Sequence, residues 1–373
     1  MRKKHILLVG NSAWSMYNFR SNLMSRLVSE GYQVSVLSPL DSEFELKIKE
    51  TGADFYPLDI RAKGTNPFHD LSLTLRIMRY IKQLKPDFAF FFTIKPNIYG
   101  GLAARFCRTP FVAVTTGLGY TFVVDNWVSK IARKLYTISF KAAQEVWFLN
   151  NDDKNDFIQH QILSEEKAFV LHGEGVDTTR FAVSSLPKEV SFLLMARMLW
   201  DKGVGEFVEA ARIVKSKYPD VQFNLLGFLN VDNPSSIPVA QIEAWEKEGL
   251  IRFLGATPNV IPFIEASTSI VLPSYYREGV PMTLLEAASM GRIVITTDNV
   301  GCRETVIDEK TGFLCRVKDA VHLAEKMQKL LSMSYEEKQA MGLEGRKMVE
   351  EKFDVNNVIH LYLKTIENVG RVS

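Results

Sequence analysis

The sequence has few of the features that mark metal sites, disulfide scaffolds or membrane spans. Its three cysteines, Cys107, Cys302 and Cys315, are too widely spaced for a metal-ligand pattern or a disulfide framework, which fits a reduced compartment. The six histidines include no i,i+4 pair. The apolar run Phe88–Phe92 is far too short to span a bilayer, and the run after the basic N-terminus is too short for a secretory signal. We therefore expect a cytoplasmic protein that needs no metal and no cofactor.

Charge is nearly balanced over the whole chain but is unevenly distributed. The net charge is only +2, yet Arg76–Lys141 holds eleven Lys and Arg against two acids, Asp87 and Asp125. This local excess favours an anionic partner, although it also fits a solvated basic face with Trp127 in the core. Nothing in the pattern indicates a nucleic acid partner. Asp152 and Asp153 are adjacent acids that fit a helix start better than a metal site.

Apolar runs alternate with helical periodicity twice along the chain. Short runs such as HILLVG and FAFFFTI predict buried parallel strands, and the alternation restarts after Val190 with SFLLMAR. The polar stretch HGEGVDTTRFAVSSLPKEV separates the two halves. The sequence therefore predicts two doubly wound α/β domains, residues 1–180 and 181–354, and a C-terminal helix at 355–373 that returns to the first domain. Two such domains facing each other form a cleft, and ligands bind at the carboxyl ends of the strands.

Two cations in the second half point to a diphosphate. Arg197 ends the predicted strand SFLLMAR, and Lys202 precedes a predicted helix start at Gly203. The free N–H groups and the dipole of that helix would add to the two positive charges. The alternative is a pair of solvated basic residues flanking a loop.

The segment REGVPMTLLEAASMG places two glutamates around a helix start. Glu278 precedes the turn Gly279-Val280-Pro281, and Glu286 lies eight residues later among Leu and Ala. Pro281 favours a first helical turn, so backbone N–H groups at Val280–Thr283 could bind phosphate. Glu286 could accept both hydroxyls of a ribose, and Glu278 could accept hydroxyls further along the ligand. Alternatively, Glu278 is a helix-start acid and Glu286 a surface residue.

The first half offers weaker candidates for a second ligand. Gly10-Asn11 follows the first strand and could present backbone N–H groups to a phosphate; Arg20 and Lys95 could each meet a diphosphate. A structural arginine and a solvated lysine are the alternative interpretations.

These motifs resemble those of family 4 retaining nucleotide-sugar glycosyltransferases, which have the GT-B fold of two Rossmann-like domains. The resemblance lies in E-x7-E after LPS, in MARMLWDKG and in GVDTTRF. GNSAWSMYNFR, RAKGTNPF, TIKPNIYGGLAA and TTGLG resemble a narrower group, the bacterial enzymes that add α-1,3-linked N-acetylgalactosamine to an undecaprenyl-diphospho-sugar.

The resemblance implies specific roles. Arg197 and Lys202 would hold the donor diphosphate, Glu286 the ribose and Glu278 the donor sugar, and the backbone of Gly279, Val280, Pro281 and Met282 would wrap that sugar, with Thr283 completing the donor site. We take Glu278, Arg197 and Lys202 as the catalytic candidates. The acceptor candidates in the first half are Gly10, Asn11, Tyr17, Asn18, Arg20, Lys95, Gly117 and Gly119.

Three positions depart from the family pattern. Cys302 stands where a second glycine is common, Glu174 stands where Asn is often seen before GVD, and TTGLG lacks the frequent histidine.

The motifs together with the resemblance imply a transferase that moves an N-acetylhexosamine, such as N-acetylgalactosamine, from a UDP-sugar to a polyprenyl-diphosphate-linked saccharide. Retention of configuration is implied by the resemblance alone. Such a transferase would work on the inner face of a bacterial cell membrane, where the basic stretch would contact anionic lipid. The alternatives are a nucleotide-sugar epimerase of similar architecture and a non-catalytic nucleotide-sugar-binding protein.

Overall fold

The chain divides into two units, and the C-terminal helix belongs to the first of them. A computed structural model describes residues 3–61, 67–118 and 127–369. Unit 1 comprises Met1–Gly175 and Val355–Ser373, and unit 2 comprises Val176–Asp354. The chain therefore passes from unit 1 to unit 2 before the predicted boundary at residue 180. Val176 already belongs to unit 2, where its N–H donates to the carbonyl of Phe353 at 2.8 Å.

Unit 1 is a parallel sheet with helices on both faces. Among the described residues its sheet has seven strands in the order β3-β2-β1-β4-β5-β6-β7. The strands are β1 His5–Val9, β2 Gln33–Ser38, β3 Asp54–Pro57, β4 Phe88–Phe92, β5 Phe111–Thr115, β6 Glu145–Phe148 and β7 Ala168–Val170. The helices are α1 Ala13–Ser29, α2 Ser42–Glu50, α3 Pro67–Leu84, α4 Gly101–Cys107, α5 Trp127–Phe140, α6 Asn151–Gln159 and the C-terminal α13 Val355–Val369.

The apolar strand runs explain the layering of this unit. Every residue of β1, β4 and β5 is buried, as expected for strands covered by helices on both faces. Tyr362 of α13 packs against Phe90 and Trp147, with ring centroids 4.8 Å apart in both pairs. These aromatic contacts account for the attachment of α13 to unit 1.

Unit 2 repeats the same architecture with one strand fewer among the described residues. Its strand order is β10-β9-β8-β11-β12-β13. The strands are β8 Ser191–Met195, β9 Gln222–Leu226, β10 Arg252–Phe253, β11 Ser269–Leu272, β12 Ile293–Thr297 and β13 Gly312–Cys315. The helices are α7 Val204–Lys215, α8 Val239–Lys247, α9 Ile261–Glu265, α10 Met282–Ser289, α11 Ala320–Ser332 and α12 Tyr335–Lys352.

Each sheet has one point at which the strand order reverses. In unit 1 this point lies between β1 and β4, and in unit 2 between β8 and β11. Loops that leave the carboxyl ends of two such strands diverge and leave a crevice in which ligands bind in doubly wound proteins. Within the part of the chain that the structure describes, we find no helix long and apolar enough to cross a membrane.

Candidate active site

The predicted donor residues emerge from the two strands at the reversal point of unit 2. Arg197 lies two residues beyond β8, and the loop containing Glu278 follows β11. Because β8 and β11 are paired in parallel, their carboxyl ends lie side by side. The structure therefore brings both predicted donor motifs to one edge of one sheet, as the doubly wound pattern requires.

Lys202 and Glu278 form an ion pair at this edge. The Nζ atom of Lys202 contacts Oε1 of Glu278, and both side chains are largely buried. The hydroxyl of Ser274 donates to the same carboxylate oxygen at 2.9 Å. The ammonium group also lies 5.2 Å from the centre of the Tyr276 ring. These contacts fix the orientation of Glu278 before any ligand arrives, which is how a preorganised site works.

The loop that carries Glu278 is held from two sides. The carbonyl of Asp201 accepts hydrogen bonds from the backbone N–H groups of Tyr275 and Tyr276, both at 3.0 Å. On the other side, Gly301 has φ +76°, and a Cβ there would collide with the carbonyl oxygen of Gly279. Any side chain at position 301 would thus displace the loop, so this glycine is required by close approach.

Cys302 occupies the position where a second glycine is common in the resembling family. Its side chain is buried beside the Glu278 loop. Burial, with the charge of Glu278 as a second cause, raises the pKa of the thiol to about 12. The thiol is therefore neutral at physiological pH and packs as a small apolar group.

The start of α10 offers backbone donors next to Glu278. Pro281 is the N-cap residue of this helix and has no N–H group. The donors predicted at Val280–Thr283 therefore reduce to the N–H groups of Val280, Met282 and Thr283. The N–H groups of the first helical turn have no partner within the helix, and the helix dipole makes this end favourable for an anion.

Glu286 lies one turn further along α10, and its carboxyl group has a pKa close to physiological pH. Burial raises the pKa of its carboxyl group to about 7, and the charge of Arg180 opposes that rise. A carboxylate is the better acceptor for two ribose hydroxyls, so the protonation of Glu286 should matter for binding.

We expect the affinity for a UDP-sugar to rise by up to about tenfold between pH 6 and pH 8, because Glu286 ionises in that interval. Isothermal titration with an intact UDP-sugar measures this. UDP itself is unsuitable, because a terminal phosphate titrates near pH 6. The stability effect has the opposite sign: a raised carboxyl pKa stabilises the fold fully below about 4.5, and that contribution is lost as the pH rises through 7. The Glu286→Gln variant should bind independently of pH; an unchanged slope would contradict the assignment.

Arg197 differs from Lys202 in being exposed. Among the described residues, no side-chain hydrogen bond or ion pair engages its guanidinium. Its charge does act on Tyr276: burial raises the pKa of that phenol, and Arg197 lowers it. Arg197 is thus near the Lys202–Tyr276 contact, with its donors available to a ligand.

Gly10 does not present a free N–H group at the reversal point of unit 1, contrary to our prediction. Its N–H donates to the carbonyl of Leu37 at 3.0 Å. A Cβ at this position would also collide with the sulfur of Met16, which explains the glycine by packing. Asn11, the next residue, is partly exposed and remains a candidate.

Arg20 is not available as a diphosphate ligand. Its guanidinium is buried, forms an ion pair with Glu174 and lies 3.9 Å from the centre of the Phe92 ring. Burial raises the pKa of Glu174, and the charge of Arg20 opposes that rise. Glu174, which stands in place of the usual Asn, is therefore paired with a buried arginine, Arg20.

We expect Arg20→Ala to lower the free energy of unfolding by about 3–5 kcal/mol, because it leaves a buried carboxylate unpaired. Chemical denaturation measures the loss. The double variant Arg20→Met with Glu174→Gln should lose much less. A normal stability combined with a selectively raised acceptor KM would instead restore Arg20 as a ligand.

The other acceptor candidates differ in their contacts and in their exposure. Tyr17 packs against Phe44 of α2, with ring centroids 6.0 Å apart. Asn18 is exposed and donates to the carbonyl of Trp14 at 2.9 Å. Gly117 has φ +134°, which favours glycine. Gly119 lies outside the described residues.

Lys95 is part of a small polar cluster that the sequence did not reveal. Its ammonium lies 2.8 Å from Oδ1 of Asp70, and the hydroxyl of Tyr99 donates to Oδ2 of the same carboxylate at 2.8 Å. Asp70 lies in the first turn of α3. Thr93, just after β4, has φ +72°, and Pro96–Gly100, which includes Tyr99, forms a π-helical turn. Both features are rare, and π-helical turns are often found at functional sites. Because Asp70 neutralises Lys95, the cluster adds no net charge for a diphosphate.

The adjacent acids Asp152 and Asp153 lie in the first turn of α6, where the helix dipole favours acids. The side chain of Asn150 caps that helix by accepting the N–H of Asp153 at 2.8 Å. A search of the described ranges finds no group of three or more His, Cys, Asp or Glu side chains arranged to hold a metal ion.

Two family profiles together cover most of the chain. Residues 5–150 match the glycosyl transferase 4-like family, and residues 176–348 match the group 1 glycosyl transferases. These ranges correspond to the strand-and-helix cores of unit 1 and unit 2.

Similar proteins are found among both curated sequences and solved structures. The N,N'-diacetylbacillosaminyl-diphospho-undecaprenol alpha-1,3-N-acetylgalactosaminyltransferase of Campylobacter jejuni is 30% identical, covering 95% of this chain and 96% of its own. The Escherichia coli UDP-Gal:alpha-D-GlcNAc-diphosphoundecaprenol alpha-1,3-galactosyltransferase is 25% identical, covering 75% of this chain and 78% of its own. A glycosyltransferase from Rickettsia africae has the same fold, with a TM-score of 0.83 and 21% identity over all of both chains.

The relatives, the matched ranges and the two doubly wound units agree, and the predicted GT-B fold class is confirmed. The chain belongs to the group 1 glycosyl transferases with a glycosyl transferase 4-like first half, and it is a hexosyltransferase.

Proposed function

We propose that this enzyme transfers an N-acetylhexosamine, with retention of configuration, from a UDP-sugar to a polyprenyl-diphosphate-linked saccharide in the assembly of a surface glycan or a protein glycan. The observation that carries the proposal is the Lys202–Glu278–Ser274 arrangement beside the start of α10, at the reversal point of unit 2. The donor and acceptor classes are supported by the names of the Campylobacter jejuni and Escherichia coli relatives.

Catalysis would depend on stabilising the leaving diphosphate. Negative charge develops on UDP as the glycosidic bond breaks. Arg197, Lys202 and the N–H groups of Val280, Met282 and Thr283 would offset that charge. Lys202 could exchange part of its contact with Glu278 for a phosphate oxygen. Glu278, held by Ser274, would accept hydroxyls of the donor sugar, and Glu286 would bind the ribose. A donor phosphate oxygen would take the acceptor proton on the face that UDP leaves, which gives retention.

The alternatives make different demands on the chain. An epimerase would need no lipid-linked acceptor and no basic, apolar surface on unit 1. A non-catalytic nucleotide-sugar-binding protein could dispense with Glu278, Arg197 or Lys202, and all three are present.

The proposal is tested by measuring UDP release from a panel of UDP-sugars with and without a short-chain polyprenyl-diphospho-saccharide. We expect one UDP-N-acetylhexosamine to give acceptor-dependent release well above the hydrolysis background. Release that is independent of acceptor for every donor in the panel would contradict a transferase of this specificity.

We expect transfer to survive EDTA, because Arg197, Lys202 and the start of α10 would take the role that a divalent ion has in other sugar transferases. The measurement is the initial rate after extensive chelation, with a metal-dependent transferase as the positive control for chelation. Loss of activity that Mg²⁺ or Mn²⁺ restores would contradict this mechanism.

The acceptor also bears on where the enzyme works. A polyprenyl chain stays in the bilayer, so an enzyme that uses it has to reach the membrane surface. We propose peripheral attachment to the cytoplasmic face of a bacterial membrane, supported by the basic residues of Arg76–Lys141. The apolar residues Phe122, Val123 and Val124 of the same stretch lie outside the described residues.

A further inference from the structure

Three helices form one layer on one face of the unit 1 sheet. Helix α3 packs against α4, and α4 packs against α5. Their inward side chains, including Leu73, Ile77 and Phe140, join one core cluster. Each of α3 and α5 leads into the amino end of the next strand, so each begins at the carboxyl edge of the sheet. The first turns of both helices therefore lie at the edge where Asn11 and Lys95 are found.

The outer face of α3 carries an exposed apolar stripe near that edge. Phe68, Leu71 and Leu75 are 84%, 60% and 57% exposed. Their spacing of three and four residues places them on one side of the helix. Side chains of this size, exposed together, indicate an interaction surface rather than a solvated face.

The first half of α5 has the same character. Trp127 is 69% exposed and Ile131 is 50% exposed. Trp127 is thus not in the core, as the solvated-face alternative had required. Together with the three residues of α3, these two form what we call the α3–α5 apolar face: Phe68, Leu71, Leu75, Trp127 and Ile131.

The charges around this face are mostly positive. Helices α3, α4 and α5 contain Arg76, Arg79, Lys82, Arg105, Lys130, Arg133 and Lys134. Their only acid is Asp70, which is buried and paired with Lys95. One exposed acid lies beside them: Oδ2 of Asp59, which precedes α3, is 3.7 Å from Nη1 of Arg76. A surface with exposed aromatic and aliphatic side chains and a large excess of cations is complementary to an anionic lipid leaflet.

We propose that the α3–α5 apolar face inserts shallowly into an anionic leaflet, with the basic residues of the same helices contacting lipid headgroups. The inference rests on the proposed function, because a lipid-linked acceptor gives the enzyme a reason to dock there. It adds an orientation: the apolar residues lie toward the carboxyl edge of the sheet. Insertion at that end brings the Asn11 and Lys95 region of unit 1 to the headgroup level, where a membrane-bound diphosphate lies.

Co-sedimentation with vesicles of phosphatidylglycerol and phosphatidylcholine separates the two contributions. The test variant is Phe68→Ser with Leu71→Ser and Leu75→Ser. Salt screens the ionic attraction but not the apolar insertion, so wild-type protein should keep part of its binding at high salt. The triple variant should bind at low salt and lose at least about tenfold of the binding that remains at 0.5 M salt.

Leu46→Ser on α2 and Phe106→Ser at the far end of α4 are matched controls, since both residues are exposed but lie away from the apolar face. Both should bind like wild type, and all variants should have wild-type melting temperatures. Equal losses in the controls, or no loss in the triple variant, would overturn the proposal. So would a concentration-dependent dimer in solution that the triple substitution abolishes, because the face would then bind a second copy.

Failure of this inference is distinguishable from failure of the proposed function. The triple variant should keep its activity on a water-soluble, short-chain acceptor and lose it on acceptor embedded in vesicles. If wild type binds vesicles through this face but transfers to neither acceptor, the docking surface holds and the proposed reaction is wrong. If wild type transfers to both acceptors and the triple variant does so equally, the reaction holds and the docking surface is wrong.

Discussion

Replacing Lys202 or Arg197 by alanine should lower kcat/KM for transfer by about 10²–10³-fold in each case, the scale of losing one preorganised group that stabilises developing charge. Lys202 is already oriented by Glu278 and by the ring of Tyr276, so little reorganisation is needed when the donor diphosphate binds. Arg197 is exposed and has its donors available. The measurement is the initial rate of transfer with saturating acceptor and varied donor.

The control for this pair is Lys217→Ala, which removes an exposed lysine beyond the end of α7 and should leave the rate unchanged. Melting temperatures should stay close to wild type for Arg197→Ala. Lys202→Ala removes one of two contacts to the same carboxylate oxygen of Glu278 and leaves the hydrogen bond from Ser274. Near-wild-type turnover of a folded Lys202 or Arg197 variant would remove the diphosphate assignment.

The second large effect should separate the two glutamates. Glu278→Gln should lower kcat by roughly 10²-fold with a smaller change in donor KM, because the proposed role places Glu278 against the reacting sugar and its charge holds Lys202. Glu286→Gln should chiefly raise the donor KM, since a neutral amide is a poorer acceptor for two ribose hydroxyls. Full kinetics over both substrates measure the split.

Ser274→Ala provides the matched control for Glu278, because it removes one hydrogen bond to the same carboxylate and keeps its charge. It should lower kcat less than Glu278→Gln does. If Glu286→Gln lowers kcat while Glu278→Gln mainly raises KM, the two roles have been exchanged.

The elements that repeat along the chain could be predicted from the sequence. Short apolar runs, such as Phe88–Phe92 of β4 and Ile293–Ile295 of β12, predict buried parallel strands without any knowledge of their neighbours. Their alternation with helices predicts two doubly wound units. Boundaries were less accurate. Helix α1 starts at Ala13, where the side chain of Ser12 accepts the N–H of Ser15 and caps it, and apolar periodicity alone does not mark that start.

The placement of the candidate donor residues could be predicted in outline because they belong to local motifs. Arg197, Lys202 and Glu278 lie in loops that follow strands, Glu286 lies on the helix after the second loop, and the sheet order brings these loops to one edge. Ser274 was missed although it lies two residues beyond β11, where a polar side chain can bond to the loop at the carboxyl edge of the sheet. Its hydrogen bond to Glu278 spans only four residues.

In the first half of the chain, predictions were wrong where a residue's bonding partner is distant in the sequence. Arg20 looked available because its partner, Glu174, is separated from it by 154 residues. Gly10 looked like a phosphate loop until the hydrogen bond of its N–H to Leu37 was known. Neither the Asp70–Lys95–Tyr99 cluster nor the π-helical turn has a sequence signature that single-sequence reasoning can use, because both depend on how α3 packs beside the end of β4.

The most direct test of the central claim is the mass of the lipid product. A UDP-N-acetylhexosamine is incubated with the enzyme and a short-chain polyprenyl-diphospho-saccharide, and both the lipid and the nucleotide fractions are analysed by mass spectrometry. We predict that the lipid gains one N-acetylhexosamine residue while an equal amount of UDP appears, and that the Arg197→Ala and Lys202→Ala variants form little of either. An unchanged lipid mass accompanied by conversion of the UDP-sugar to an isomer, or by no change at all, would contradict the account.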